Sequence, residues 1–138
     1  LNVLDMGCGT SILAILARMR GAAHCLGIDV DEWCVKNSRE NIQLNHLDGI
    51  DVELGDASSL AGQGPFDLVI ANINLGILLN DLKHYVPCMK PGAYIYMSGF
   101  YDTDIPQLVA EAERQGLKLT DEHVLDGWAC LKLQKIEE

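Results

Sequence analysis

The sequence predicts an α/β fold, a mostly parallel β-sheet with helices on both faces in a three-layer sandwich. Three observations carry that expectation. Apolar runs of strand length alternate with stretches of helical periodicity along most of the 138 residues. The first apolar run leads straight into a glycine loop, Gly7-Cys8-Gly9-Thr10-Ser11, and the second ends on an acid, Asp29. Two final strands joined by a turn at Asp126-Gly127 bring the sheet to seven strands and close it with a C-terminal antiparallel hairpin.

Taken in order, residues 1–6 read as a strand that stops at Met6, where Gly7 and Gly9 let the backbone turn sharply and approach a ligand with no Cβ in the way. A helix is expected over 11–20, then a strand over 23–29. The next helix, over 31–45, opens on Asp31-Glu32, acids suited to the positive end of a helix dipole, and carries Asn37 and Asn41 on its polar side. A strand over 50–55 closes at Asp56, and one over 66–71 closes at Asn72. The spacing then predicts a helix over 78–89 that stops before Pro91-Gly92, and a strand over 93–98. Leu108, Val109 and Ala112 place a helix over 105–115, capped by Asp102-Thr103-Asp104 and ended by Gly116. Residues 117–135 hold the hairpin, with Trp128 expected to pack in its strand pair.

Length predicts one domain spanning residues 1–138. Hydrophobic residues make up 49%, yet no apolar run approaches the roughly eighteen residues that cross a bilayer, and no leader precedes Val3, so a cytoplasmic protein without a membrane partner is expected. A formal charge of −10 disfavours direct contact with RNA or DNA and favours a basic protein as partner. The five cysteines are an odd set without a C-x-x-C pair, and the four histidines are scattered, so neither a metal site nor a disulfide framework is expected.

Ligands of open α/β sheets sit beyond the carboxyl ends of the strands, where strand order switches. The segment from Asp5 to Thr10, then Asp29, Asp56 and Asn72, follow four successive strands and fall at that edge. No G-x-x-x-x-G-K-[ST] is present, which excludes a P-loop. The dinucleotide pattern G-x-G-x-x-G would put its third position on Ile12, too bulky for close helix–strand packing. The pattern G-x-G-x-G fits Gly7, Gly9 and Ser11 and resembles the first motif of the Rossmann-like class I S-adenosylmethionine-dependent methyltransferases. On the residues alone, Asp29, Asp56 and Asn72 also fit plain turn-closing roles, and Cys8 fits a small residue filling a tight loop.

The fuller resemblance is to the methyltransferases of ribosomal protein L-eleven, the PrmA family, and it covers their catalytic domain almost end to end. It is carried by Leu4-Asp5-Met6-Gly7-Cys8-Gly9-Thr10-Ser11-Ile12-Leu13-Ala14-Ile15, Gly27-Ile28-Asp29-Val30-Asp31, Phe66-Asp67-Leu68-Val69-Ile70-Ala71-Asn72-Ile73, Lys90-Pro91-Gly92, Ser98-Gly99 and Trp128. Amino methyltransferases of nucleobases or of a glutamine amide carry Asn-Pro-Pro-Tyr after the fourth strand; here Asn72-Ile73-Asn74-Leu75 stands there, which suits an aliphatic amine.

The resemblance implies S-adenosyl-L-methionine as cofactor, held by Asp5, Gly7, Cys8, Gly9, Thr10, Asp29, Asp56 and Asn72. Gly7, Gly9 and Thr10 would line its methionine part, Asp29 would hold the ribose, and Asp56 would contact the adenine amino group. Asn72 would face both cofactor and substrate as the catalytic residue, orienting an amine without acting as a base. The implied function is N-methylation of a basic ribosomal protein. The alternatives are a methyltransferase of a small molecule or RNA, and a non-catalytic S-adenosylmethionine-binding domain. Two features depart from the family: Ser11 replaces a glycine, and the family's upstream loop and N-terminal recognition domain are not among these residues. The chain is therefore read as a catalytic half with weakened cofactor binding.

Overall fold

The protein is described here by a computed structural model over residues 1–9 and 11–136. Strands β1 (Asn2–Met6), β2 (His24–Asp29), β3 (Ile50–Leu54), β4 (Phe66–Asn72), β5 (Met89–Tyr101), β6 (Leu117–Leu125) and β7 (Trp128–Lys135) form one sheet in the order β3-β2-β1-β4-β5-β7-β6. Only β7 runs against its neighbours β5 and β6. From β1 the chain builds outward through β2 and β3, then crosses back to place β4 on the other side of β1. The switch point therefore lies between β1 and β4, where the glycine loop and Asn72 emerge.

Helices α1 (Ile12–Met19) and α2 (Glu32–Leu44) cover one face, α3 (Leu75–Tyr85) and α4 (Ile105–Arg114) the other. Alternation along the strands decides which side chains each face receives. Leu4, Met6, Ile28, Val69, Ile95, Met97 and Leu131 meet Leu78 and Leu82 of α3 and Leu108 and Ala112 of α4 in the larger core. Val3 and Cys25 meet Ala14 of α1, and Ile15 packs with Val35 and Ile42 of α2.

Fold class, strand count and hairpin agree with expectation, and four local features differ. Helix α3 begins at Leu75, three residues before the predicted start, because Asn74 caps it: its Oδ1 accepts a hydrogen bond from the Ile77 N–H at 3.0 Å. It ends at Tyr85 rather than at 89, since Pro87 cannot continue a helix and instead sits in a short 3-10 turn, Val86–Cys88. Strand β5 then starts at Met89, and Pro91-Gly92 lies inside it, accommodated by a register shift against β4 between Phe66 and Leu68. Asp102–Asp104 forms a 3-10 turn whose Asp104 carboxylate accepts from the Tyr101 N–H, without bonding the first turn of α4. Trp128 pairs in β7 as expected, but its ring is exposed and stacks on Tyr101.

Leu82 is fully buried between α3 and the sheet. Leu82→Ala is expected to lower stability by about 2–5 kcal/mol through lost burial and the cavity left behind, measured as a shift in the urea unfolding midpoint.

Candidate functional site

The glycine loop is shaped by its neighbours. The Gly7 and Cys8 N–H groups both donate to the Ile28 carbonyl of β2, at 2.8 and 3.1 Å, so the chain leaving β1 folds back over the second strand. Gly7 and Gly9 have φ of +67° and +57°, a region that a side chain strains. A Cβ on Gly7 would also stand 3.0 Å from Ile73 Cγ1, so β1 and β4 approach this closely only because the residue is glycine. Ser11 adopts φ +65° too, which explains why a glycine pattern can run through a serine position and what the serine costs there. Its hydroxyl is buried with no hydrogen-bond partner.

Asp29 closes β2 and ties the loop down. Its Oδ2 accepts from the Gly9 N–H at 3.0 Å and its Oδ1 from the Asp31 N–H at 2.9 Å. Ser38 of α2 reaches over to donate to the Gly9 carbonyl at 2.6 Å. Cys8 lies buried behind the loop with Sγ 3.8 Å from Ser38 Oγ, and a Cβ on Gly27 would meet that sulfur at 3.2 Å. Burial pushes the Cys8 thiol above its ordinary range, so it stays protonated and packs.

Asp5 is buried at the end of β1. It accepts a bond from the Ala14 N–H in the first turn of α1, while Oδ2 has no partner. Burial first, and repulsion from Asp29 second, raise this carboxyl to about 7 against the opposing pull of the Ala14 bond. Asp56 behaves in the opposite way. Exposed at the end of β3, it caps the 3-10 turn Ala57–Leu60, accepting from the Ser58 hydroxyl and, at 2.9 Å, from the Ser58 N–H, and these bonds hold it below the usual carboxylate range.

Asn72 is exposed at the end of β4, paired with Ser98 of β5. Gly99 makes room for it: a Cβ there would stand 3.0 Å from Asn72 Oδ1 and 2.8 Å from the Ile73 carbonyl. The ends of β1, β4 and β5 thus converge through two glycines. In front of them opens a cleft of about 770 Å³ with Gly7, Asp29, Asp56 and Asn72 in its wall. Its far wall is the face of α3 bearing Ile77, Asn80, Asp81 and His84.

The structure therefore brings four predicted residues onto one cleft, sets Asp5, Cys8 and Gly9 in or behind the loop that shapes it, and leaves Thr10 outside the described residues. The α3 wall escaped the sequence reading. Its signal was present in the helical spacing 80, 81, 84 within the predicted helix, and starting that helix at 78 instead of at the Asn74 cap left Ile77 off the same face.

A family model of "Ribosomal protein L11 methyltransferase (PrmA)" matches residues 1–136. The chain belongs to the PrmA family. It is 63% identical over 131 residues to the ribosomal protein L11 methyltransferase of Bacteroides thetaiotaomicron, covering 95% of this chain and 47% of that one. With the Thermotoga neapolitana relative it shares 35% over 134 residues, 97% of this chain and 50% of that one. The chain thus spans about half the length of the curated PrmA relatives it matches. Among solved structures, the ribosomal protein L11 methylase of Lactobacillus delbrueckii subsp. bulgaricus superimposes with a TM-score of 0.91 at 27% identity, covering 99% of this chain and 71% of that one. The [4+2]-cyclase SpnF superimposes at 0.85 with 17% identity over 100% of this chain and 76% of that one, a likeness of fold alone.

Two predictions follow from the loop. Ser11→Gly is expected to add about 1 kcal/mol of stability by relieving the left-handed backbone and the unpartnered hydroxyl, read from the urea midpoint. Because the folded Asp5 carboxyl titrates near 7 and the unfolded one near 3.8, the folded state holds the extra proton between those values. Asp5 therefore costs nothing in stability below about 4, an increasing amount as pH rises towards 7, and a constant amount above. Asp5→Asn should remove this part of the slope, gaining most over the parent at pH 8 and least at pH 4, as chemical denaturation across that range would show.

Proposed function

We propose that residues 1–138 form the catalytic domain of an S-adenosylmethionine-dependent protein N-methyltransferase whose substrate is ribosomal protein L11, acting in the cytoplasm. The observation that carries this reading is the cleft at the switch point, walled by the Gly7 turn, Asp29, Asp56 and Asn72 in a PrmA-family chain. The residues present suit this cofactor. Among the described residues the cleft is lined by Asp29, Asp56 and Asp81 with His84, and by no lysine or arginine, which opposes a pyrophosphate and favours a nucleoside bearing positive charge. Asp5 behind the loop, its carboxyl raised to about 7, adds to the same negative potential only with its ionised fraction.

S-adenosylmethionine supplies an electrophilic methyl group on a sulfonium. The chain's own residues bind and align. Gly7 and Gly9 would present bare backbone to the methionine part; Asp29, with one bond to Gly9 and one to Asp31, retains carboxylate lone pairs for the ribose hydroxyls. Asp56 remains ionised over the working pH range and accepts from the adenine amino group. Asn72 offers an amide oxygen to an amine N–H, which fixes the direction of the nitrogen lone pair; an amide takes no proton at neutral pH, so its role is alignment. A lysine amine, with an ordinary pKa of about 10.4, reacts only when neutral, and the positive cofactor with the apolar Ile73 and Ile77 beside the cleft favours that form.

The charge of −10 sets RNA behind a basic protein as substrate. The strained Ser11 in the glycine loop keeps a second reading open for test, an S-adenosylmethionine-binding domain without methyl transfer. Calorimetry with S-adenosylhomocysteine is expected to show saturable binding, weakened at least tenfold by Asp29→Ala. Incubation with S-adenosylmethionine and recombinant ribosomal protein L11 should add whole methyl increments to the intact mass of that protein. No saturable binding by the parent chain would sink the cofactor reading, and binding without any mass increment would favour the non-catalytic one.

A further inference from the structure

At the carboxyl edge of the sheet, beside the cleft, two aromatic rings lie in the open. Tyr101 ends β5 and Trp128 begins β7; they are register partners, and their rings stack with centroids 4.5 Å apart and planes at 29°. Both are 53% exposed, and Leu125, opposite Trp128 on β6, is 76% exposed. The platform is rigid: the Asp102 N–H donates to the Gly127 carbonyl at 2.8 Å, locking the end of β5 to the hairpin turn, and Asp104 holds the Tyr101 N–H. Nothing in the core explains two stacked rings left in water.

The charge around them is one-sided. Asp102 and Asp104 follow Tyr101, and Asp126 sits in the turn before Trp128. The lysines of the same three strands stand at the other edge, Lys90 opening β5, Lys118 near the start of β6 and Lys135 ending β7, with Lys132 drawn over the Tyr94 and Tyr96 rings lower on the sheet. Aromatic faces rimmed by carboxylates attract ammonium groups through ring quadrupole and Coulomb terms together. They repel a phosphate backbone.

Position links this platform to the cleft. Asn72 pairs with Ser98, and Tyr101 lies three residues further along β5 across the register shift at Gly99, at most roughly 10 Å beyond Ser98 at the rise of a strand. One extended residue and a lysine stem cover that span. We infer that Tyr101 and Trp128, with Asp102, Asp104 and Asp126, form the docking surface for a lysine-bearing basic segment of the protein substrate, holding one lysine while a neighbouring one enters the cleft at Asn72. This rests on the protein-methyltransferase reading.

The test uses Trp33→Phe protein, in which Trp128 is the one remaining tryptophan, saturated with S-adenosylhomocysteine. The probes are a capped peptide of three lysines spaced by glycines, the same peptide acetylated on each lysine, and a polyuridine oligonucleotide. The lysine peptide is expected to shift Trp128 emission saturably, with affinity falling as salt rises and about tenfold lower in Tyr101→Ala. By calorimetry, Trp128→Ala should lose the peptide and Trp128→Phe keep it, while both bind S-adenosylhomocysteine as the parent does. Equal binding of the acetylated peptide, an unchanged Tyr101→Ala, no saturable shift, or a response to polyuridine in place of the lysine peptide would overturn the assignment. Loss of S-adenosylhomocysteine binding in the parent would instead count against the cofactor reading, and the peptide result would stand apart from it.

Discussion

The Ile28 carbonyl and the Asp29 carboxylate, adjacent on β2, accept from Gly7, Cys8, Gly9 and Asp31 and so fix the whole path of the glycine loop. A loop with two glycines is costly to order on its own, since glycine loses the most backbone freedom on folding. Here the bonds that order it come from a strand buried in the sheet, and Ser38 adds another from α2. The side of the sheet formed by β1, β2 and α2 is in this sense one device. Its product is a turn of bare backbone aimed at the switch point, and the packing of Cys8 against Gly27 keeps that turn from collapsing inward.

The second glycine contact, Gly99 against Asn72 and Ile73, does for β4 and β5 what Gly7 does for β1 and β4. Together they let three strand ends crowd within backbone contact, and the polar groups that emerge there face one space. Asp5 shows what that crowding costs. A carboxyl with one buried oxygen unpartnered, next to Asp29, destabilises the folded state at neutral pH. A group of this kind persists where it has work to do, and a bound cation in the cleft would favour the ionised form of Asp5 behind its wall.

Fold class and the near wall of the cleft were legible because both are local. Strand–glycine–helix and strand–acid are short-range patterns, and Asp31 capping α2 through the Trp33 N–H is one more. What escaped was set by single residues overruling a pattern. Asn74 moved the start of α3 by three residues and Pro87 moved its end, and with them went the recognition that Ile77, Asn80, Asp81 and His84 share a face on the cleft. Pro91-Gly92 reads as a break, yet the register shift in β5 absorbs it. The exposure of Trp128 was illegible for another reason: a tryptophan in a strand is usually buried, and nothing in the sequence says that its partner across the sheet is a second ring that stacks with it in solvent.

The likeness to SpnF is one of fold, and a fold does not by itself determine a reaction. On this chain, charge is distributed unevenly over the frame. Acids close β2 and follow β3, β5 and β6 at the carboxyl edge, while Arg18, Lys90, Lys118 and Lys135 stand towards the opposite one, Arg18 paired with Asp48 and Lys90 with Asp67. Such an edge draws in cations and repels phosphates at a distance set by the Debye length, before any contact forms. The cofactor cleft and the aromatic platform lie along the same edge, so one field would serve a sulfonium and a lysine. Two positive reactants brought close together repel one another, and an acidic edge offsets that repulsion while the sulfonium's own charge favours the neutral amine.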